Sequence, residues 1–204
     1  MSLVIALALS REAIIGADRR SISFFGPCQA LEEELYSGKI EDDCDLESRA
    51  KELEASLQIS DGREKVWKRG EILVGEVTEI SLSLSRRRRI YLTAGASLQV
   101  EIEEADGSGV ARVRAWGGVG CTVFGNRFTQ NLASQEIARA GGRVDEELIR
   151  AILQKAGRET ASVSRESTVL RTGTGTRASN ARQELYKALS EDCRENGWRI
   201  CDPQ

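Results

Sequence analysis

The sequence predicts a single α+β domain over residues 1–204, in which strands and helices come in blocks. Three observations lead to this prediction. Two short apolar runs open the chain, an acidic segment with helical spacing follows, and strand patterns then precede two amphipathic helices. Blocks of this kind are typical of α+β domains, whereas strict βαβ alternation is typical of parallel sheets. Hydrophobic residues make up 40% of the 204 residues, which is enough for a core.

The two apolar runs at the start of the chain, residues 3–9 and 13–17, are separated by three residues that include Arg11 and Glu12. This pattern predicts an antiparallel hairpin of two buried strands. A further strand is predicted at residues 22–25, and Gly26-Pro27 ends it. Because both strands of the hairpin are apolar throughout, we expect Ile5, Leu7 and Ile14 to be buried.

The next segment is acidic, and its leucines recur every three or four residues from 28 to 57. This spacing predicts a helical insertion at residues 27–60. Five strands follow, at 65–67, 72–80, 89–93, 98–103 and 110–115, with Asp106-Gly107 as a turn. We interpret the four arginines at 86–89 as a charged loop leading into a strand, or as an edge protected against aggregation.

The last part of the chain shows helical periodicity at about 125–140 and from Val144 onward. We expect Leu148 and Ile152 of the second helix to be buried. A short strand follows at 168–170. The rest, 172–204, is predicted to be a linker and a C-terminal helix.

Composition excludes several classes of function. The net charge of −3 argues against a nucleic-acid partner, and no apolar run approaches the roughly 20 residues of a membrane helix. The five cysteines contain no CxxC pair, so we expect free thiols, a cytoplasmic location and neither metal nor cofactor.

The chain has no histidine, which excludes Ser-His-Asp and Cys-His catalysis. The base of an enzyme would then be a carboxylate, a lysine, a tyrosine, a cysteine or the α-amino group, of which only the last titrates near neutrality, with a pKa of about 7.7–8.0.

The opening of the chain resembles that of the proteasome-type N-terminal-nucleophile (Ntn) hydrolases. In that family a nucleophile begins an apolar strand, and a second strand ends in Asp, any residue and Arg. Ser2, Asp18 and Arg20 fall at the family's spacing. Residues 14–26 and 32–40 also resemble a small archaeal family of proteasome-like proteins, known mainly from methanogens. The resemblance implies an αββα four-layer sandwich that carries the acidic helical insertion.

The same resemblance implies roles for individual residues. Removal of Met1 would make Ser2 the nucleophile, with its own α-amine as the base. Asp18 would orient the site and balance its charge, and we expect it to lie partly buried beside Ser2. The supporting and oxyanion-binding positions would be Arg20, Gly118, Gly120 and Ser164. The family's lysine would fall at Glu34, so the nearest candidate is Lys39.

Two functions therefore remain open from the sequence. The first is an amide or peptide hydrolase that acts on a small amide or peptide through Ser2. The second is a non-catalytic Ntn-fold protein that binds a ligand or associates with itself as a homo-oligomer. Under either function we expect the Asp18 carboxylate to have a cationic partner, such as Lys39 or Arg20, because burying it alone is costly.

Overall fold

The computed structural model describes residues 3–26, 28–80, 85–105, 108–173 and 180–201. The predictions for Met1, Ser2 and the turn at Asp106-Gly107 lie outside these residues. The described part of the chain mixes strands and helices, which confirms the predicted α+β class.

The strands and helices follow one another in blocks along the chain. The strands are β1 (Val4–Ala8), β2 (Ala13–Asp18), β3 (Ser21–Phe25), β4 (Ser56–Ser60), β5 (Val66–Arg69), β6 (Ile72–Ile80), β7 (Ser85–Thr93), β8 (Ala96–Ala105), β9 (Ser108–Gly117), β10 (Gly120–Phe124), β11 (Ser167–Thr172) and β12 (Trp198–Cys201). The helices are α1 (Gln29–Tyr36), α2 (Asp43–Glu52), α3 (Arg127–Arg139), α4 (Glu146–Glu159) and α5 (Ala181–Asn196).

The N-terminal strands lie in a four-stranded sheet with the order β10-β1-β2-β11. The predicted hairpin is present, because β1 and β2 are neighbours and the Leu9 N–H donates to the Glu12 carbonyl oxygen at 2.8 Å across the turn. Every residue of both strands is buried, including Ile5, Leu7 and Ile14. Strand β10 was not predicted, since it follows directly on a glycine-rich stretch that has the composition of a loop.

The chain divides into two compact units. The first comprises Met1–Val4, Gly16–Lys65 and Val123–Thr168. In this unit α1 and α2 lie between β3 and β4, within the predicted insertion. Residues 56–60 are not helical, however, because they pair with β3 at five consecutive positions. A shared core holds the two helices together, and its buried members are Leu31, Leu35, Ile40, Leu46, Ala50 and Ala161.

Gly38, just after α1, lies close to α3. Its φ is +80°, and a Cβ at this position would come within 2.2 Å of the Phe128 ring. Glycine is therefore required here both by the backbone and by the close approach to the ring. The insertion is thus packed against α3.

Helix α4 buries one of the two residues whose burial was predicted. Ile152 is fully buried, as expected, but Leu148 is only half-buried. Ile149, Leu153 and Ala156 complete the buried stripe at spacings of three and four residues. The predicted burial of Leu148 is therefore wrong, because the helix is rotated so that Ile149 takes the core position.

The second unit comprises Ile5–Ile15, Val66–Thr122 and Val169–Gln204, and it contains a six-stranded sheet with the order β12-β9-β8-β7-β6-β5. Helix α5 packs on this sheet through Leu185, Ala188 and Leu189. The arginine run 86–89 lies inside β7, between β6 and β8. The interpretation of this run as a loop or a protected edge is therefore wrong. Glutamates on the neighbouring strands pair with Arg86, Arg87 and Arg89 and allow them to occupy a central strand.

Arg89, the last of the four arginines, is buried in an ionic network of the second unit. Its guanidinium pairs with Glu76 and with Asp192 of α5, each at 2.6 Å. It also lies over the rings of Trp67 and Trp198, at 5.2 and 5.0 Å from their centroids. The network therefore ties α5 to the sheet and places Arg89 against Trp198 of β12.

None of the helices in the described ranges is both long and apolar enough to cross a membrane. All five cysteines are free thiols.

Candidate active site

The candidate site is centred on Asp18, the last residue of β2. Its carboxylate is 1% exposed and is held by main-chain donors of the first unit. Oδ1 accepts the Leu3 N–H at 2.8 Å, and Oδ2 accepts the Arg20 N–H, also at 2.8 Å. Because Leu3 directly follows Ser2, Asp18 fixes the chain at the residue after the predicted nucleophile.

Lys65 is the cationic partner of Asp18. Its Nζ lies 2.7 Å from Asp18 Oδ2, and the residue is only 3% exposed. Burial lowers the pKa of the Lys65 ammonium below its ordinary value, and the charge of Asp18 opposes this shift. Lys39, by contrast, is exposed. The structure thus places Lys65, rather than Lys39, beside Asp18.

The helical insertion explains why the count along the sequence led to Lys39 and not to the lysine that pairs with Asp18. Glu34 lies 32 residues after Ser2, whereas Lys65 lies 63 residues after it. Thirty residues separate the end of β3 from the start of β4, and without them Lys65 would come 33 residues after Ser2. The count from Ser2, the predicted nucleophile, therefore points to Lys65 once the insertion is left out.

Lys65 belongs to a loop, residues 61–65, that runs antiparallel to residues 18–20. Lys65 pairs with Asp18 at one end of the loop, and Asp61 pairs with Arg20 at the other. Between them, the Arg63 N–H donates to the Arg19 carbonyl oxygen at 3.1 Å. The two segments therefore carry complementary charges. Residues 18–20 supply an acid and then a base, and residues 61–65 supply a partner of opposite charge for each.

Arg20 contacts Asp18 only through its main-chain N–H. Its side chain is 7% exposed and binds three other parts of the first unit. It forms two hydrogen bonds of 2.8 Å with the Asp61 carboxylate, pairs with Asp43 at the start of α2, and donates to the Ala161 carbonyl oxygen at 2.8 Å. The carboxylates raise the pKa of Arg20, and Arg20 in turn lowers the pKa of Asp61. Arg20 therefore joins the elements around the site.

Ser164, predicted as a supporting serine, lies next to Asp18. Its N–H points to Asp18 Oδ2 at 3.4 Å. Its hydroxyl accepts the Arg19 N–H at 2.9 Å and donates to the Glu166 carbonyl oxygen at 2.6 Å. The structure therefore brings together Asp18, Arg20 and Ser164 of the predicted site.

The start of α3 is tied to the same segment as Ser164. Asn126 caps the helix by accepting the Thr129 N–H at 2.8 Å, and its Nδ2 donates to the Ser162 hydroxyl at 3.1 Å. Ser162 also shares a hydrogen bond with Thr160. This buried polar cluster was not predicted, although an Asn directly before a helical pattern is a capping signal.

The predicted oxyanion-binding glycines, Gly118 and Gly120, are exposed. They belong to the second unit, whereas Asp18, Lys65 and Ser164 belong to the first. Their role remains a prediction.

These features define a mixed α+β protein with a buried aspartate–lysine pair next to its first strand. Residues 1–194 match the model of the family described as Connectase MJ0548-like, N-terminal domain, and the chain belongs to this family. No curated protein matches the sequence.

Two solved structures are similar to parts of this fold. One is BPH from Thiobacillus denitrificans in complex with epoxomicin, with 11% identity and a TM-score of 0.47, covering 85% of this chain and 100% of that one. The other is a Gly-1 mutant of Anbu from Hyphomicrobium sp. strain MC1, with 9% identity and a TM-score of 0.37, covering 96% of each chain. Both TM-scores are below 0.5, so neither structure bears on the function of this chain.

Proposed function

We propose that this protein is an N-terminal-nucleophile hydrolase of amide bonds, with Ser2 as the nucleophile, on a four-layer αββα scaffold. The observation that supports this most directly is the buried Asp18–Lys65 pair, whose carboxylate accepts the Leu3 N–H at 2.8 Å. Leu3, which follows Ser2 in the sequence, is thus bound to a carboxylate that a buried lysine pairs with. Perturbed buried groups of this kind are typical of functional sites.

In the proposed reaction, removal of Met1 frees the α-amine of Ser2. The amine has an ordinary pKa of about 7.7–8.0 and takes the hydroxyl proton as the oxygen attacks the amide carbonyl. The C–N bond then breaks, the proton passes to the leaving amine, and an ester remains on Ser2. Water hydrolyses that ester with the same amine as the base. Lys65, as a nearby cation, would favour the neutral form of the amine.

The negative oxygen of the tetrahedral intermediate requires main-chain donors. Gly118 and Gly120 are the candidates from the sequence. The first N–H groups of α3 are a second candidate, because Asn126 connects that helix end to the segment of Ser164 and a helix N-terminus attracts negative charge. One such donor is worth about 3–4 kcal/mol in the transition state.

A non-catalytic role is favoured by a different observation. Asp18 accepts hydrogen bonds from Leu3, Arg20, Lys65 and Ser164, all within the protein. Such a network can hold the start of β1 in place without any chemistry. In that case the chain would serve as a ligand-binding or self-associating protein.

The test is covalent labelling of untagged protein. Intact mass should show loss of Met1, and a β-lactone probe should then acylate Ser2. Arg11 follows Ser10, so digestion with trypsin yields a peptide of residues 2–11, in which tandem mass spectrometry can assign the adduct. Ser2→Ala should abolish the adduct, whereas Ser10→Ala, in the same peptide, should leave it intact. Retention of Met1 on protein from its native source, or an adduct elsewhere than Ser2, would contradict the hydrolase.

A further inference from the structure

We infer that Asp61 is a positioning residue of this site: its ion pair with Arg20 fixes the loop 61–65 so that Lys65 stays against Asp18. The catalytic meaning of this inference rests on the proposed function. The positioning itself is a property of the fold and can be measured without any substrate.

The geometry shows how the loop is held. Asp61 and Lys65 stand at the two ends of the loop and bind Arg20 and Asp18, which are two residues apart on the facing segment. Arg20 is itself immobilised by Asp43 and by the Ala161 carbonyl oxygen, so Asp61 is bound to a fixed group. A bidentate arginine–carboxylate pair adds directional constraint as well as energy.

Lys65 needs such an anchor. The free energy of a buried ammonium falls when it returns to water, and a lysine side chain gains rotamer freedom when it is released. The main-chain bond from Arg63 to Arg19 fixes the middle of the loop, and Ser60 and Val66, next to its two ends, are paired in β4 and β5. Within the loop, the contacts at the two ends are then made by the side chains of Asp61 and Lys65. The ion pair of Asp61 therefore limits how far the loop, and Lys65 with it, can move away.

An alternative is that Asp61 acts on Lys65 through its charge alone. The two modes of action predict opposite changes in the pKa of Lys65 when the charge of Asp61 is removed. The groups that influence the pKa of Lys65, besides its burial, are Asp18 and Asp61, which raise it, and Arg63, which lowers it. If Lys65 stayed in place, loss of the Asp61 charge would lower its pKa further. If Lys65 were released to water, its pKa would instead rise toward the ordinary value of about 10.4.

The experiment is an NMR titration of protein labelled with ¹³C at the lysine side chains. The chain has six lysines, and the Lys65 signal is assigned by its loss in Lys65→Arg. In Asp61→Asn we expect the Lys65 pKa to rise toward 10.4. Asp43→Asn is the matched control, because Asp43 also binds Arg20 but lies on α2 rather than on the loop. It should titrate like the wild type, because Arg20 keeps its bonds to Asp61 and to the Ala161 carbonyl oxygen.

Asp61→Glu keeps the charge and should fall between the wild type and Asp61→Asn, which provides a second variant if Asp61→Asn does not fold. An unchanged or lowered pKa of Lys65 in both Asp61 variants would overturn the inference, and so would an equal rise in Asp43→Asn. The rate of acylation of Ser2 should fall about 10- to 100-fold in Asp61→Asn, since small displacements in a site cost this much. If Lys65 is released but Ser2 is never acylated in any variant, the hydrolase fails and the positioning role stands.

Discussion

Leu3 and Asp18 are hydrogen-bonded to each other twice. The Leu3 N–H donates to Asp18 Oδ1 at 2.8 Å, and the Asp18 N–H donates to the Leu3 carbonyl oxygen at 3.2 Å. The side chain thus extends the pairing of the two main chains by one bond. This arrangement makes the start of the first strand depend on a carboxylate that is itself buried.

Asp18→Asn should destabilise the protein more than Lys65→Met. The asparagine leaves the Lys65 ammonium buried without its counter-charge, and breaking a buried pair in this way costs about 3–5 kcal/mol. Lys65→Met leaves the carboxylate with its main-chain donors from Leu3, Arg20 and Ser164. Denaturant unfolding at neutral pH measures both free energies. An equal or larger loss in Lys65→Met would show that these donors do not support the charge.

Arg89→Met should destabilise the second unit by about 3–5 kcal/mol, because Glu76 and Asp192 then remain buried without a counter-charge. Arg86→Met is the matched control from the same strand. The Arg86 side chain is 46% exposed, and surface pairs contribute about 0–1 kcal/mol. Thermal and denaturant unfolding can compare the two. Equal effects would contradict the separation of the arginine run into buried and surface members.

Gly38→Ala should cost more stability than Gly142→Ala. Both glycines have positive φ, +80° and +77°, so alanine is strained at either position, by about 1 kcal/mol. Only at Gly38 would the added Cβ also overlap the Phe128 ring, since nothing lies within 4 Å of a Cβ at Gly142. Overpacking adds about 1–3 kcal/mol. Equal losses, measured by denaturant unfolding, would mean that the insertion does not pack on α3.

Acid should remove the stabilising contribution of Asp61. Arg20 holds the pKa of this carboxyl below its ordinary value, so the unfolded chain binds more protons there than the folded one. The contribution is therefore present above a pH of about 4 and is lost as the pH falls through the lowered pKa. The difference in unfolding free energy between wild type and Asp61→Asn should shrink over this range. Glu47→Gln, at an exposed position, should show no such convergence.

Local patterns predicted much of the fold. The continuous apolar runs predicted β1 and β2 because buried strands need no polar face, and the spacing of Leu31, Leu35, Leu46 and Ala50 predicted the helices of the insertion. Asp18 was singled out through its spacing from Ser2 and Arg20, which resembles that of the Ntn hydrolases. Leu57 could not be assigned correctly. It continues the helical spacing, but its pairing with Phe24 places it in a strand.

Local patterns could not predict contacts between residues that are far apart in the sequence. Lys65 carries no local signal, and only its position after the insertion connects it with Asp18. Arg89 looks like its three neighbours in sequence, and its burial follows from Asp192, 103 residues later. Strand β12 is short and pairs in parallel with β9. No turn signal in the sequence predicts this pairing. These features depend on tertiary structure, which overrides local preference.

The pairing of Phe25 with Ser56 has a consequence for redesign of this chain. The two residues are direct partners across the hairpin, so the acidic helices leave the β3–β4 ribbon and return to it at one place. A tight turn could close the same gap, and the entropy of closing a loop changes only slowly with its length. The helices are nevertheless tied to the ribbon, because Ile22, Phe24, Leu57 and Ile59 pack against their core. A folded segment grafted between Phe25 and Ser56 would therefore have to cover the same apolar side chains for the ribbon to keep its register.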